Sequence, residues 1–155
     1  ARYDRRRATA TALAAIRETF EEAGAMIGAP GSFAGKGEHW SVFGARGIRP
    51  APEMLVPIAR AITPPGPPRR YDTRFFCVAA DAIGHQLALD ELPTDELEEL
   101  AWVDLNGLQD LSLAPITLRI VGDLKARIAD GTWRDPARPM PFYRAIRGQF
   151  VRESL

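Results

Sequence analysis

A helix, a run of strands and a second long helix packing back predict an α/β (α+β) sandwich. Three stretches carry that expectation. Residues 8–23 are Ala-rich with good helix propensity, and Gly24 follows as a natural stop. Residues 72–81 form an aromatic, apolar run with turn residues beyond it, the clearest strand in the chain. Ile116, Ile120, Leu124 and Ile128 recur every four residues, the stripe of an amphipathic helix over 114–129. Pro115 suits the first turn of that helix and Gly131 its end. At 155 residues the chain suits one compact domain, 1–155.

The elements between follow from local chemistry. Residues 28–37 hold Gly28, Gly31, Gly35, Gly37 and Pro30 and read as a loop. A phosphate cradle there lacks a Gly-Lys-Ser/Thr ending and a preceding strand. Residues 38–45 read as a short helix carrying Trp40 and Phe43, with a turn over 47–52. Residues 54–63 are largely apolar and read as a strand, Pro57 favouring an edge or an irregular start. The stiff Thr63-Pro64-Pro65-Gly66-Pro67-Pro68 connection is too short for an interdomain linker. Residues 86–89 and 98–104 read as further strands, the latter with Trp102 and Val103, before Asn106-Gly107 breaks the chain. The tail, 139–155, mixes aromatics with arginines and takes no assignment.

The chain is 46% hydrophobic and 26% charged, with Lys plus Arg equal to Asp plus Glu at 20 each. Zero formal charge argues against a general nucleic-acid binder. Arg2, Arg5, Arg6 and Arg7 form a local basic run that reads as a solvated chain start. The single cysteine, Cys77, excludes an internal disulfide and a cysteine-rich zinc site. It sits in an apolar run and reads as a buried structural thiol, compatible with a reducing, cytoplasmic setting. No apolar run approaches the ~20 residues of a membrane span. His39 and His85 lack a metal-binding spacing and read as surface or core residues, and no Ser/His/Asp motif is present.

The most informative stretch is Arg17-Glu18-Thr19-Phe20-Glu21-Glu22-Ala23-Gly24. At roughly 100° per helical residue, Glu18, Glu21 and Glu22 fall within an arc of about 100°, while Leu13, Ile16, Phe20 and Ala23 fall on the opposite side. One face anchors in a core and the other presents three carboxylates. Such like charges repel by roughly 0.2–0.5 kcal/mol per pair, so a cation is expected to satisfy them, and hard oxygen donors favour Mg²⁺ or Mn²⁺. The alternative is an acidic amphipathic helix on a solvated surface.

This stretch resembles the second half of the Nudix box, which reads Arg-Glu, an apolar residue, any residue, Glu-Glu, any residue, Gly, then an apolar residue. Arg17, Glu18, Glu21, Glu22 and Gly24 match, followed by Ala25, with Thr19 the mild departure. The first half is not matched: the expected Gly and Glu fall on Tyr3 and Thr9. Either the box is degenerate and inactive, or the chain resembles a Nudix branch, the peroxisomal-type coenzyme A diphosphatases and their bacterial relatives, whose box is split by an insertion. The second is favoured. Residues 1–7 then read as the end of the insertion, and the glycine-rich loop is expected upstream of Ala1. Ala61-Ile62-Thr63-Pro64 and Arg69-Arg70-Tyr71-Asp72-Thr73-Arg74-Phe75-Phe76 are also similar to that branch.

The resemblance implies a Nudix-like sandwich, a mixed β-sheet between helices, incomplete at the N-terminus. It implies a Mg²⁺- or Mn²⁺-dependent diphosphatase acting on a nucleoside diphosphate derivative, coenzyme A or acyl-CoA before NADH or ADP-ribose. Glu21 and Glu22 are then metal ligands, Glu18 a ligand or the base, and Arg17 the residue that orients a box carboxylate. A later acid is expected from Glu96, Glu98 or Glu99, Glu98 being the one carried forward, and Arg70 and Arg74 are candidates for substrate phosphates. Ion pairs with Asp72 are the alternative for those arginines. The expected partner is a small nucleotide-derived molecule, with no nucleic acid and no membrane; a homodimer stays open. A catalytically silent Nudix-fold binding or interaction module is the competing expectation.

Overall fold

The computed structural model describes residues 4–64, 68–93, 99–108, 111–146 and 149–155. Arg5–Ala23 forms helix α1, Ala25–Pro30 strand β1, Glu38–Ala45 helix α2, Ile48–Pro50 strand β2, Val56–Ile62 strand β3 and Asp72–Cys77 strand β4. Ile83–Gln86 forms β5, Pro115–Ala129 helix α3, Pro141–Ile146 β6 and Gln149–Ser154 β7. Among the described residues the chain is therefore a mixed α/β protein of the α+β kind, with three α-helices and two sheets. It divides into two compact units, Ala1–Leu55 with Val78–Ala101, and Val56–Cys77 with Trp102–Leu155.

The first unit packs α1 and α2 with an antiparallel sheet of order β2-β1-β5. Its core joins Ile16 and Phe20 of α1 to Met26 and Ile27 of β1, Phe43 of α2, Ile48 of β2 and Leu87. Each such side chain contributes roughly 1.5–3 kcal/mol by burial. The second unit packs α3 on a sheet of order β4-β3-β6-β7, in which β3 and β6 run parallel and the other pairs antiparallel. Its core is Ile58, Ala59, Ala61, Ile120 and Tyr143. The Tyr143 hydroxyl donates to Asp123 of α3 at 2.5 Å, which ties the buried ring's polar end to the helix.

Several expectations change. Helix α1 starts at Arg5, so Arg5, Arg6 and Arg7 form its first turn behind Asp4, whose carboxylate accepts from the Arg6 N–H at 3.2 Å. The start of the expected 28–37 loop belongs to β1. Gly28 marks a close strand approach there, because a Cβ would lie 2.4 Å from the Arg49 carbonyl oxygen. The strand expected over 86–89 is β5, displaced to Ile83–Gln86, and Leu89–Glu91 closes into a 3-10 turn. The strand expected over 98–104 is not formed among residues 99–104. Trp102 is 85% exposed there and Leu100 and Val103 are exposed on either side of it, so the apolar content reflects no alternating buried face. The unassigned tail is the β6–β7 hairpin, in which Arg144 donates from Nε and Nη2 to Glu153 at 2.7 and 2.8 Å.

Among the described residues, no helix is long and apolar enough to cross a membrane. Cys77 is half-buried at the end of β4, and burial pushes its thiol up from the ordinary range, against the opposing pull of Arg127 and Arg134. Cys77 is thus half-buried rather than buried as expected, packed at the edge of the second unit's core.

Candidate functional site

Helix α1 faces as its periodicity demands. Ala12, Ile16 and Phe20, four residues apart, are buried, while Glu18 and Glu22 are exposed. The Phe20 ring meets Phe43 edge-on at 5.3 Å, which anchors the helix from within. Gly24 ends it with φ +65°, its N–H donating to the Phe20 carbonyl at 2.9 Å. A side chain at Gly24 has no room either, because a Cβ would lie 2.7 Å from Leu92 Cδ2 and 2.9 Å from Leu87 Cβ. The glycine of the motif is thus required by backbone conformation and by packing.

Arg17 sits between two of the three carboxylates. Its Nη1 donates to Glu21 Oε1 at 2.8 Å and its Nη2 donates to Glu18 Oε1. A second group reaches Glu21 from α2: His39 Nε2 lies 3.1 Å from the same Oε1. The Glu21 side chain is only 15% exposed, while Arg17 and His39 are 38% and 34% exposed, so the cluster sits at the rim of the core. Glu22 and the second oxygen of Glu21 make no hydrogen bond or ion pair with another described residue. The repulsion anticipated from sequence is therefore offset inside the protein at Glu18 and Glu21, and Glu22 carries the open charge. Carboxylate oxygens are the donor type that Mg²⁺ and Mn²⁺ take. Among the described residues, no group of three His, Cys, Asp or Glu side chains is placed to hold a metal ion.

His39 also lines a groove of about 240 Å³ beside α2. Phe20, Val42 and Leu87 supply apolar surface; Glu38, Arg46 and Glu91 supply charge. Arg46 donates from Nη1 to His85 Nε2 at 2.8 Å and from Nη2 to Glu91 Oε1 at 3.2 Å. The other Glu91 oxygen accepts from the Ala88 N–H at 3.2 Å. That backbone bond, then Arg46, holds the Glu91 carboxyl below its ordinary value. Neither histidine was distinguishable by spacing: Arg46, just before β2, and His85 of β5 are brought together across the β2-β1-β5 sheet, 39 residues apart in sequence.

The remaining candidates lie elsewhere. Glu96 and Glu98 fall outside the described residues, and Glu99 is exposed. Arg70 and Arg74 belong to the second unit, whereas Arg17, Glu18, Glu21 and Glu22 belong to the first. Arg70 Nε donates to the Thr63 carbonyl at 3.1 Å. Arg74 pairs with Asp72 at 3.7 Å, and Arg60 donates twice to the same carboxylate at 2.7 Å. The Arg60 hydrogen bonds hold Asp72 below the usual carboxylate range, against the desolvation that opposes them. The ion-pair alternative for Arg74 is thus realised.

No family model, no curated protein and no solved structure matches this chain.

Proposed function

We propose that the chain is a metal-dependent hydrolase of the Nudix type, cleaving a diphosphate linkage in a nucleoside diphosphate derivative, with coenzyme A or acyl-CoA as the first substrate to test. The observation that supports it is the organisation of α1. Arg17 grips Glu18 and Glu21 by one oxygen each, Glu22 stands open beside them, and Gly24 stops the helix where no other residue fits.

On this reading Glu21 and Glu22 hold Mg²⁺ or Mn²⁺, and Glu18 is a further ligand or the group that takes the proton from water. A cation held there would supply charge neutralisation at the diphosphate and would acidify water. The chain's own residues do the positioning. Arg17 fixes the rotamers of two carboxylates before any ligand arrives, and the buried Ile16 and Phe20 make the helix a rigid platform. Attack on an already anionic phosphorus needs positive charge at its oxygens and a positioned nucleophile, and a rigid helix serves the second need. A cytoplasmic setting accompanies the reading, with the single thiol half-buried.

A second reading, a catalytically silent binding module, is favoured by Thr9, which occupies the place of an expected glutamate and is exposed on α1. Hydrolysis of coenzyme A, NADH and ADP-ribose in Mg²⁺ or Mn²⁺ separates the two. Turnover that Glu22→Gln abolishes with the fold intact is the expected result. Turnover retained in folded Glu22→Gln removes the assignment, and no turnover of any substrate favours the module.

A further inference from the structure

We propose that residues 102–105 dock a basic, apolar strand of a partner protein. Trp102 is 85% exposed, Val103 44% and Leu105 38%. All three belong to the second unit, whereas the α1 carboxylates belong to the first. Single exposed apolar residues are ordinary, but a tryptophan with two large apolar neighbours in one short stretch marks an interaction surface. Tryptophan is also among the commonest anchors of such surfaces, because it buries a large, rigid area.

The backbone points to an added strand. Residues 101–104 lie in no helix, strand or turn. Among the described residues, neither Trp102 nor Val103 makes a backbone hydrogen bond. Apolar side chains beside open N–H and C=O groups are a template for pairing, in which main chain supplies affinity and side chains supply selectivity. The stretch has a fixed end: Asp104 accepts from the Asn106 N–H at 2.6 Å through Oδ1, and its carbonyl accepts from the Gly107 N–H at 2.9 Å.

Charge selects the partner. Between Arg74 and Arg119 the sequence holds nine Asp or Glu and no Lys or Arg, in a chain whose totals are equal at 20 each. Asp104 is exposed within that stretch and has no ion pair among the described residues. Such a surface repels nucleic acids and anionic lipids and attracts Lys and Arg. Two copies of the stretch facing each other about a two-fold axis bring acid against acid, which disfavours a second copy as the occupant.

Fluorescence anisotropy of a labelled peptide titrated with the full chain tests the proposal. The probe is Lys-Val-Lys-Ile-Lys-Val-Lys, and its control carries Glu in place of every Lys. The expected result is a micromolar Kd for the basic peptide, binding of the acidic one about tenfold weaker or less, and about tenfold weakening by Trp102→Ser. Trp102 is exposed, so the variant keeps the fold, which circular dichroism checks. Asp104→Asn keeps the acceptor for the Asn106 N–H and removes the charge. It is expected to weaken binding about threefold in dilute buffer, with the difference fading as salt screens it. No binding at millimolar peptide, equal binding of the two peptides, or an affinity untouched by Trp102→Ser overturns the proposal. A dimer in sedimentation that Trp102→Ser dissociates overturns it in favour of a second copy.

Discussion

Gly24→Ala meets two penalties that a matched control, Gly47→Ala, meets only in part. Both glycines have left-handed backbones, with φ +65° and φ +64°. A residue with a Cβ costs roughly 1–2 kcal/mol in that region. At Gly47 a Cβ meets nothing within 4 Å, so the backbone term is the whole effect. At Gly24 the new methyl lies 2.9 Å from Leu87 Cβ and 2.7 Å from Leu92 Cδ2. Leu92 yields by a rotamer change, whereas Leu87 is fixed, because its N–H donates to the Gly24 carbonyl at 3.0 Å. Overpacking of that kind adds about 1–3 kcal/mol. Gly24→Ala is therefore expected to lose about 2–5 kcal/mol and Gly47→Ala about 1–2 kcal/mol. In a chain of this size that corresponds to falls in Tm of about 4–20 °C and about 2–8 °C. Urea unfolding followed by far-UV circular dichroism reads both, with the slope in denaturant checked for constancy. Equal losses in the two variants refute the packing at the end of α1.

Other outcomes follow from the same contacts. Phe20→Ala removes a ring 1% exposed and its edge contact with Phe43, and a loss of about 3–5 kcal/mol is expected in the same assay; an unchanged melting curve shows α1 facing the other way. Asp130 is held at about 2, below its ordinary 3.8, first by Arg138 and then by Thr132. A depressed carboxyl stabilises above its unfolded value and loses that contribution as pH falls through its folded value, so the stability gap between the wild type and Asp130→Asn is expected to close between pH 3.8 and about 2. A gap constant across that range removes the Arg138 pairing from the account.

How much the sequence disclosed depends on where each signal lies. Helices α1 and α3 and strands β3 and β4 were legible because their periodicity or apolar density is local. Strand β1 was hidden by Gly28, whose usual association with loops masked a backbone crossing another backbone. The β6–β7 hairpin was hidden by Phe142. It neighbours Tyr143 in sequence, yet it is buried as well, because the Arg60 and Arg144 guanidiniums cover it at 4.8 and 5.7 Å. Two adjacent buried aromatics erase the alternation that announces a strand. The strand expected over 98–104 misled in the opposite sense: over the described residues 99–104 apolar composition comes with no ladder to a described strand. In the candidate site, the Arg17 contact with Glu21 was readable from its four-residue spacing, whereas the contact with Glu18 was not, since adjacent helical positions do not face each other. The approach of His39 to Glu21 was not, since it exists only once α1 and α2 pack.

The chain leaves the first unit at Leu55 and re-enters it at Val78, so each unit is assembled from two separated stretches. A ribosome releases them in an awkward order. The β3–β4 hairpin emerges with one side of β3 unpaired, and its parallel neighbour β6 follows only after α3. Throughout that interval β3 offers an open row of amides and carbonyls to any passing strand. Long-range parallel pairing is also slow to form. The nascent protein is thus open to edge pairing from the emergence of β4 until β6 pairs, and a chain interrupted before Pro141 lacks that partner strand.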